Sequence, residues 1–420
     1  MAEIINTQIL NWLALDLPAD HWLGYLIAAL IHAVLLIHVI AVGALSFIWA
    51  ERKVSGRIQD RLGPTRVGGA FGWLQGIADG IKLLSKEDLM PAAADPVLFK
   101  ISPYISFAAS FAALIALPFA SGWCGQHLNH AAFFILAIMG LEVFGVILGG
   151  YASGSKWSLF GGMREAAQVV SYEVPVGMCV LIPVMLCGTM NLVTIGDKQA
   201  GDFTNWLFFH DPFTALTFFV YFTCAMASVN RAPFDLAEAE SELVAGFLTE
   251  YSGMRWSIFF MAEYGSMFMV SALAAILFFG GWNGPIPLFG FVTDESHFIL
   301  QYIANLAGCI NLIGKASLLV VVMMWIRWTF PRLRVDQVIT MCWKYCVPIA
   351  AFCFIGVLAW QQLFLHNTSG GLIGNPSGTS IHGGSTGIVN EHWVESLTQE
   401  QPEESQPGPT ATASVTGGAR

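Results

Sequence analysis

Long apolar runs decide what this chain can fold into. Eight of them, at residues 22–49, 101–121, 131–152, 164–189, 213–230, 258–280, 302–327 and 341–365, approach or exceed the roughly 20 residues of a bilayer-crossing α-helix. Only 11% of the 420 residues are charged and 55% are hydrophobic, against a charged share of about 25% in a typical globular domain. Such a chain cannot cover itself with polar surface in water, and its mean hydropathy of +0.62 comes from these runs rather than from one rich core. The expected fold is an all-α polytopic membrane protein with eight transmembrane helices in residues 22–365, a surface amphipathic helix and structured cytoplasmic loops. Residues 1–21 are expected to be an external segment. Residues 366–420, rich in Gly, Ser, Thr and Pro and carrying Glu400, Glu403 and Glu404, are expected to be a disordered external tail.

Charge asymmetry orients the runs. With the loop after the first run inside, Arg52, Lys53, Arg57, Arg61, Arg66, Lys82, Lys86 and Lys100 lie inside. Lys156, Arg231, Arg255, Arg332 and Arg334 follow by alternation, which leaves only Lys198 and Arg420 outside. An even number of spans with both termini outside is therefore expected. Trp22, Trp49, Trp206, Trp256, Trp282 and Trp328 fall near segment ends, as an interfacial aromatic belt requires. The first cation is Arg52, so the start of the chain lacks the basic region of a cleavable signal, and the first run is expected to remain. Within the inside loops, residues 71–86 (FGWLQGIADGIKLLSK) place apolar side chains at helical spacing. This segment is expected to lie along the membrane or against a partner protein.

The eight cysteines form no CxxC pair and no Cys/His spacing of a zinc or iron–sulfur site, and there is neither a dinucleotide fingerprint nor a phosphate loop. No redox cofactor is expected on this chain alone, and any electron transfer must use groups held by partners. The net charge of −10 owes part of its size to the tail and does not suggest nucleic acid.

Glu142, Glu173, Glu263 and Lys315 stand inside the runs. Each costs roughly 2.5–3.5 kcal/mol near a helix centre, so a function or a pairing must retain them. Pairing of Lys315 with one glutamate is the structural reading. Three glutamates on three helices fit a buried proton path better, because a carboxyl group can take up or release a proton as its neighbours change. Glu165 stands eight residues before Glu173, about 80° away on the helix, and His32 and His38 are lone histidines in the first run. The stretch 230–256, NRAPFDLAEAESELVAGFLTEYSGMRW, adds Asp235, Glu238, Glu240, Glu242 and Glu250 beside Arg231 and Arg255. Asp235 and Glu238 have capping-box spacing. On a helix, Asp235, Glu238 and Glu242 would share a face, with Glu240 about 140° away.

Four stretches carry a resemblance to a known family: ERKVSGRIQDRLGPTRVG from Glu51, FGWLQGIADGIKLLSKED from Phe71, GGMREAAQVVSYEVP from Gly161, and residues 230–256. They resemble the quinone-site membrane subunit of respiratory complex I, the NADH:quinone oxidoreductase of bacteria and mitochondria, over roughly residues 20–365. The resemblance implies eight spans, five of them folded like half of an antiporter subunit, in a bacterial inner membrane with periplasmic termini. It implies quinone as substrate, with no complete active site in this chain. FMN and iron–sulfur clusters would sit in partner subunits: peripheral iron–sulfur and quinone-site subunits beside antiporter-like and small membrane subunits.

Carried onto this chain, the proton-coupling carboxylates look like Glu142, Glu173, Glu240, Glu242 and Glu263. Arg52, Arg57, Arg231, Asp235 and Glu238 look like residues bordering the quinone tunnel and its mobile loop. Thr65 stands where the family suggests Asn, Gly69 and Gly76 where it suggests Pro, and Ala232 and Ala237 where it suggests Thr and Pro. Two other readings share parts of the pattern. The equivalent subunit of a membrane-bound hydrogenase or formate-oxidising complex shares the scaffold, and a secondary transporter also carries acids in its spans. The intact EAESELVAGF and EYSGMRW stretches favour the quinone branch, and no internal repeat is evident.

Overall fold

The computed structural model describes residues 22–121, 123–237, 240–285 and 298–361. The segment 1–21 and the tail lie outside the described residues, as do Glu238 and residues 286–297.

Each apolar run is helical over most of its described residues. In chain order the helices are α1 (Trp22–Ile58), α2 (Gln75–Ser85), α3 (Pro96–Ile115), α4 (Ala131–Ala152), α5 (Lys156–Cys187), α6 (Leu192–Lys198), α7 (Leu207–His210), α8 (Pro212–Ser228), α9 (Glu240–Leu243), α10 (Gly253–Phe278), α11 (Phe298–Thr329) and α12 (Val335–Trp360). Seven are long and apolar enough to cross a membrane, which makes this a multi-pass membrane protein. The eighth, α8, has 17 residues, about 25 Å of helix against a hydrocarbon core of about 30 Å. Against the expected eight, the described residues thus hold seven full-length spans and this one shorter apolar helix. The fold is all-α as expected, and among the described residues a short antiparallel pair, β1 (Pro118–Ala120) with β2 (Trp123–Cys124), accompanies the helices.

Local chemistry sets the helix ends. Asp95 accepts from the backbone N–H groups of Val97 and Leu98 and is followed by Pro96, whose missing N–H is no loss in the first turn. Asp211 caps α8 in the same way, its carboxylate accepting from the Thr214 N–H at 2.7 Å. Its carboxyl is held below the usual carboxylate range: burial opposes this, but the bonds from His210 and Thr214 outweigh it. At the far end of α5, Gly188 adopts φ 66° and stops the helix. α12 carries a π-turn at Cys342–Cys346.

α10 is the central helix, packed by α1, α3, α8 and α11, with 83% of its apolar window buried, against 12% for α1. α3, α4, α5 and α8 follow one another around it, and α12 closes on α5 and α8. The α3–α4 contact is made by small residues. A Cβ at Gly145 would lie 2.7 Å from the Ser106 backbone nitrogen, one at Gly149 would lie 2.6 Å from Ser102 Oγ, and Ser102 donates to the Gly145 carbonyl at 2.7 Å. Without a hydrophobic drive between helices in lipid, such close backbone approach and hydrogen bonding hold them together.

The amphipathic helix is present as α2. Ile77, Ile81 and Leu84 are exposed along one side, with Phe71 and Trp73 exposed in the turn before it, while Asp79 on another side bonds Arg52 at 2.5 Å and accepts from Gln75 at 3.2 Å. Gly76 lets it approach α1, since a Cβ there would meet Leu45 at 3.2 Å. Glycine at this position, where the family suggests proline, therefore serves the close packing of α2 on α1.

Candidate functional site

Glu51 lies on α1 one turn past Phe47 and is only 5% exposed. A carboxylate in such a place needs counter-charges. It has two: Arg327, from the end of α11, donates to Oε1, and Arg231, from the loop after α8, donates through NH1 to Oε2 at 3.2 Å. The Tyr264 hydroxyl of α10 also donates to Oε2, at 2.5 Å. Arg231 then reaches further, its Nε lying 2.9 Å from Oε1 of Glu263 on α10, with the guanidinium 4.4 Å from the Tyr264 ring centroid. Burial alone would favour loss of the Arg231 proton, but Glu263, Tyr264 and Glu51 outweigh it and hold its pKa well above the usual arginine value. Two carboxylates and two guanidiniums from four separate segments therefore form one buried cluster.

Glu263 also faces a small cavity of about 40 Å³ that Glu142, Glu165, Ser106 and Asn230 line with it, room for roughly two or three water molecules. Glu142 accepts a hydrogen bond from the Ser266 hydroxyl. Glu165 accepts from Asn230 at 2.7 Å, and Asn230 in turn accepts from Gln168 at 2.8 Å. Glu173 does not reach this cavity. It borders a neighbouring apolar one of about 440 Å³, and the two share Met139 and Ser228. Glu165 and Glu173, about 12 Å apart along α5 and about 80° apart around it, thus line adjoining chambers. Gly140 makes room for the second glutamate, since a Cβ there would collide with Glu173 Oε1.

The acidic loop packs on α5 because Gly161 has no side chain. A Cβ there would sit 2.8 Å from the Phe247 nitrogen and 3.0 Å from the Ala237 carbonyl. Residues 235–237 are not helical and the described helix begins at Glu240, so Asp235 and Glu242 do not share a helix face as expected. The capping-box partner of Asp235, Glu238, lies outside the described residues. Asp235 is 5% exposed and pairs with Arg332 at 3.1 Å. Glu242 is half exposed and pairs with Arg164 at 2.6 Å, outside the buried cluster. Of Glu240 only the backbone is described, within α9. Arg52 is bound to Asp79 near the surface, and Arg57 is exposed.

Among the described residues Lys315 pairs with no glutamate. Its ammonium donates to the Phe279, Gly281 and Asn283 carbonyls at 2.6, 2.9 and 2.5 Å, and lies 4.4 Å from the Trp206 ring centroid. The cation sits where α10 ends, at the negative pole of the helix dipole. His38 Nδ1 is 2.8 Å from the Val34 carbonyl one turn back on its own helix, and His32 lies outside the described side chains. Glu51, Tyr264, Ser266 and Arg327 were missed as site residues. The available signals were a charge at the end of an apolar run for Glu51 and Arg327, and adjacency to Glu263 for Tyr264.

A multi-pass helical membrane protein that buries ionised clusters and carboxylate-lined cavities within its bundle belongs among those in which intramembrane charge is functional. The NADH dehydrogenase family model matches residues 31–358, and the chain belongs to that family. It is 44% identical to the H subunit of NADH-quinone oxidoreductase from Chlorobium luteolum over 342 residues, 81% of this chain and 90% of that protein. The corresponding H subunits of Anaeromyxobacter dehalogenans and Geobacillus thermodenitrificans are each 43% identical, over 81% and 76% of this chain and 83% and 89% of their own lengths.

Proposed function

We propose that this chain is a membrane subunit of a proton-translocating NADH:quinone oxidoreductase, and that it couples quinone reduction to proton movement through its buried carboxylates. The observation that carries the reading is Arg231, held between Glu51 and Glu263 at the edge of a cavity that also contains Glu142 and Glu165. Charge appearing at the quinone end shifts the balance of this cluster. Because solvent is scarce there, the change is felt at the next carboxyl group. Protons then redistribute over Glu263, Glu142 and Glu165, and onward to Glu173 across the partition formed by Met139 and Ser228. Glu240 and Glu242 stand on the loop that covers the mouth of this path.

In the same reading Arg52, Arg57, Arg231, Asp235 and Glu238 border the quinone tunnel, completed by peripheral subunits that hold the FMN and iron–sulfur clusters. The chain sits in a bacterial inner membrane with eight spans and periplasmic termini, beside antiporter-like and small membrane subunits. The names of the relatives favour this over a hydrogenase or a solute transporter. The test is Glu142→Gln and Glu263→Gln in membranes of matched complex content. Quinone reductase activity and proton pumping should fall together while NADH oxidation by ferricyanide persists. Normal quinone-linked pumping in both variants overturns the reading.

A further inference from the structure

We infer that Glu51 and Arg327 are positioning residues for Glu263: bound to each other, they leave Arg231 as its counter-charge and keep the cluster neutral. The contacts within the cluster differ in kind. Arg327 donates to Glu51, Arg231 NH1 donates to both Glu51 oxygens at 3.4 and 3.2 Å, and Arg231 Nε lies 2.9 Å from Glu263 Oε1 as an ion pair. Arg231 is thus shared between two carboxylates, and Arg327 satisfies Glu51, the acid that would otherwise claim Arg231 from Glu263.

This inference rests on the carboxylate relay proposed above and concerns what sets the charge around its first member. The groups facing Glu263 are Arg231 from the loop, Glu51 from α1, Arg327 from α11, Glu142 and Glu165 across the cavity, and Asp235, itself held by Arg332. Removing one member of the Glu51–Arg327 pair leaves the other uncompensated and changes the field at Glu263 by one unit charge. Glu51→Gln leaves a surplus guanidinium that favours the ionised carboxylate, so the pH profile of quinone-linked turnover moves toward acid. Arg327→Gln leaves a surplus carboxylate and moves it toward alkali. Each shift is on the order of one pH unit. The double variant restores neutrality and returns the profile close to that of the unaltered complex. A residue needed only for packing does not produce opposite shifts, nor does losing both partners then repair the loss of one.

The experiment measures NADH:quinone turnover against pH in membranes carrying the assembled complex, normalised by ferricyanide reduction, for Glu51→Gln, Arg327→Gln, the double variant and Glu263→Gln. Opposite shifts that cancel in the double variant are expected. Shifts of the same sign, or a double variant no better than the worse single one, overturn the inference while an inactive Glu263→Gln leaves the relay standing. A fully active Glu263→Gln overturns the relay itself. Should Glu51→Gln fail to accumulate, the alkaline shift of Arg327→Gln and the restored profile of the double variant decide the matter.

Discussion

Arg231 and Glu263 are joined through Nε and Oε1 at 2.9 Å, which ties the loop after α8 to the central helix α10. The loop's cation belongs to the bundle's charge balance, and the Leu333 N–H further donates to the Pro233 carbonyl at 3.0 Å.

Arg231→Gln is expected to lower the amount of assembled complex several-fold. Removing one partner of a buried pair leaves an uncompensated charge, a loss of about 3–5 kcal/mol. Arg231→Gln combined with Glu263→Gln should recover part of that amount, since the stranded carboxylate is then neutral. Complex content on native gels checks both. Equal content in the single and double variants would show that the pair is not what holds the loop.

The apolar runs made the helices legible because a bilayer-length hydrophobic segment has few alternatives to a helix. The buried cluster was not legible in the same way. Glu51 opens a charged stretch and reads as the first residue of a loop, yet α1 continues to Ile58 and carries it into the bundle. Its partners lie 180 and 276 residues away, and no local periodicity encodes such separations. Glu263 and Glu142 were legible because a carboxyl group within an apolar run is conspicuous wherever its partner lies. Glu242 was grouped with them by the family resemblance and with Asp235 by helix spacing, and neither encodes its pairing with Arg164, 78 residues away.

Glu242→Gln is therefore expected to be milder than Glu263→Gln. A half-exposed pair such as Glu242–Arg164 contributes about 0–1 kcal/mol, so assembly should be near normal and quinone-linked turnover reduced by less than half. Matched assays of the two variants measure the contrast. A Glu242→Gln defect as deep as that of Glu263→Gln would place the surface acid on the obligatory path.

Lys315→Met is expected to lower stability while sparing the chemistry. It removes the donor to three carbonyls at the end of α10, and each orphaned buried acceptor costs about 1–3 kcal/mol. The thermal midpoint of the detergent-purified complex should fall by several degrees, with turnover per assembled complex unchanged at low temperature. A loss of turnover without loss of stability would assign Lys315 to the proton path.

Orientation has its own test. A periplasmic reporter fused after residue 365 should be active and one fused after Arg334 silent, because Arg332 and Arg334 favour the cytoplasmic side. The reverse pattern would invert every loop assignment.

Gly140→Ala separates the position of Glu173 from its charge. The new methyl group would collide with Glu173 Oε1 and lie 3.3 Å from its carboxyl carbon, with no backbone atom among these closest contacts. A flexible side chain can turn away at little cost to the fold, so assembly should remain near normal. The carboxyl group, however, is driven from its place beside the apolar cavity, and a proton relay depends on donor and acceptor staying within hydrogen-bond reach, directly or through one water. Pumping and quinone turnover are therefore expected to fall several-fold in Gly140→Ala, approaching the values of Glu173→Gln, at equal complex content. Adding Gly140→Ala to Glu173→Gln should cause little further loss, because the displaced group is already unable to carry a proton. Independent, multiplying losses in the double variant would mean that Gly140 acts on α4 packing and that the position of Glu173 is not what matters.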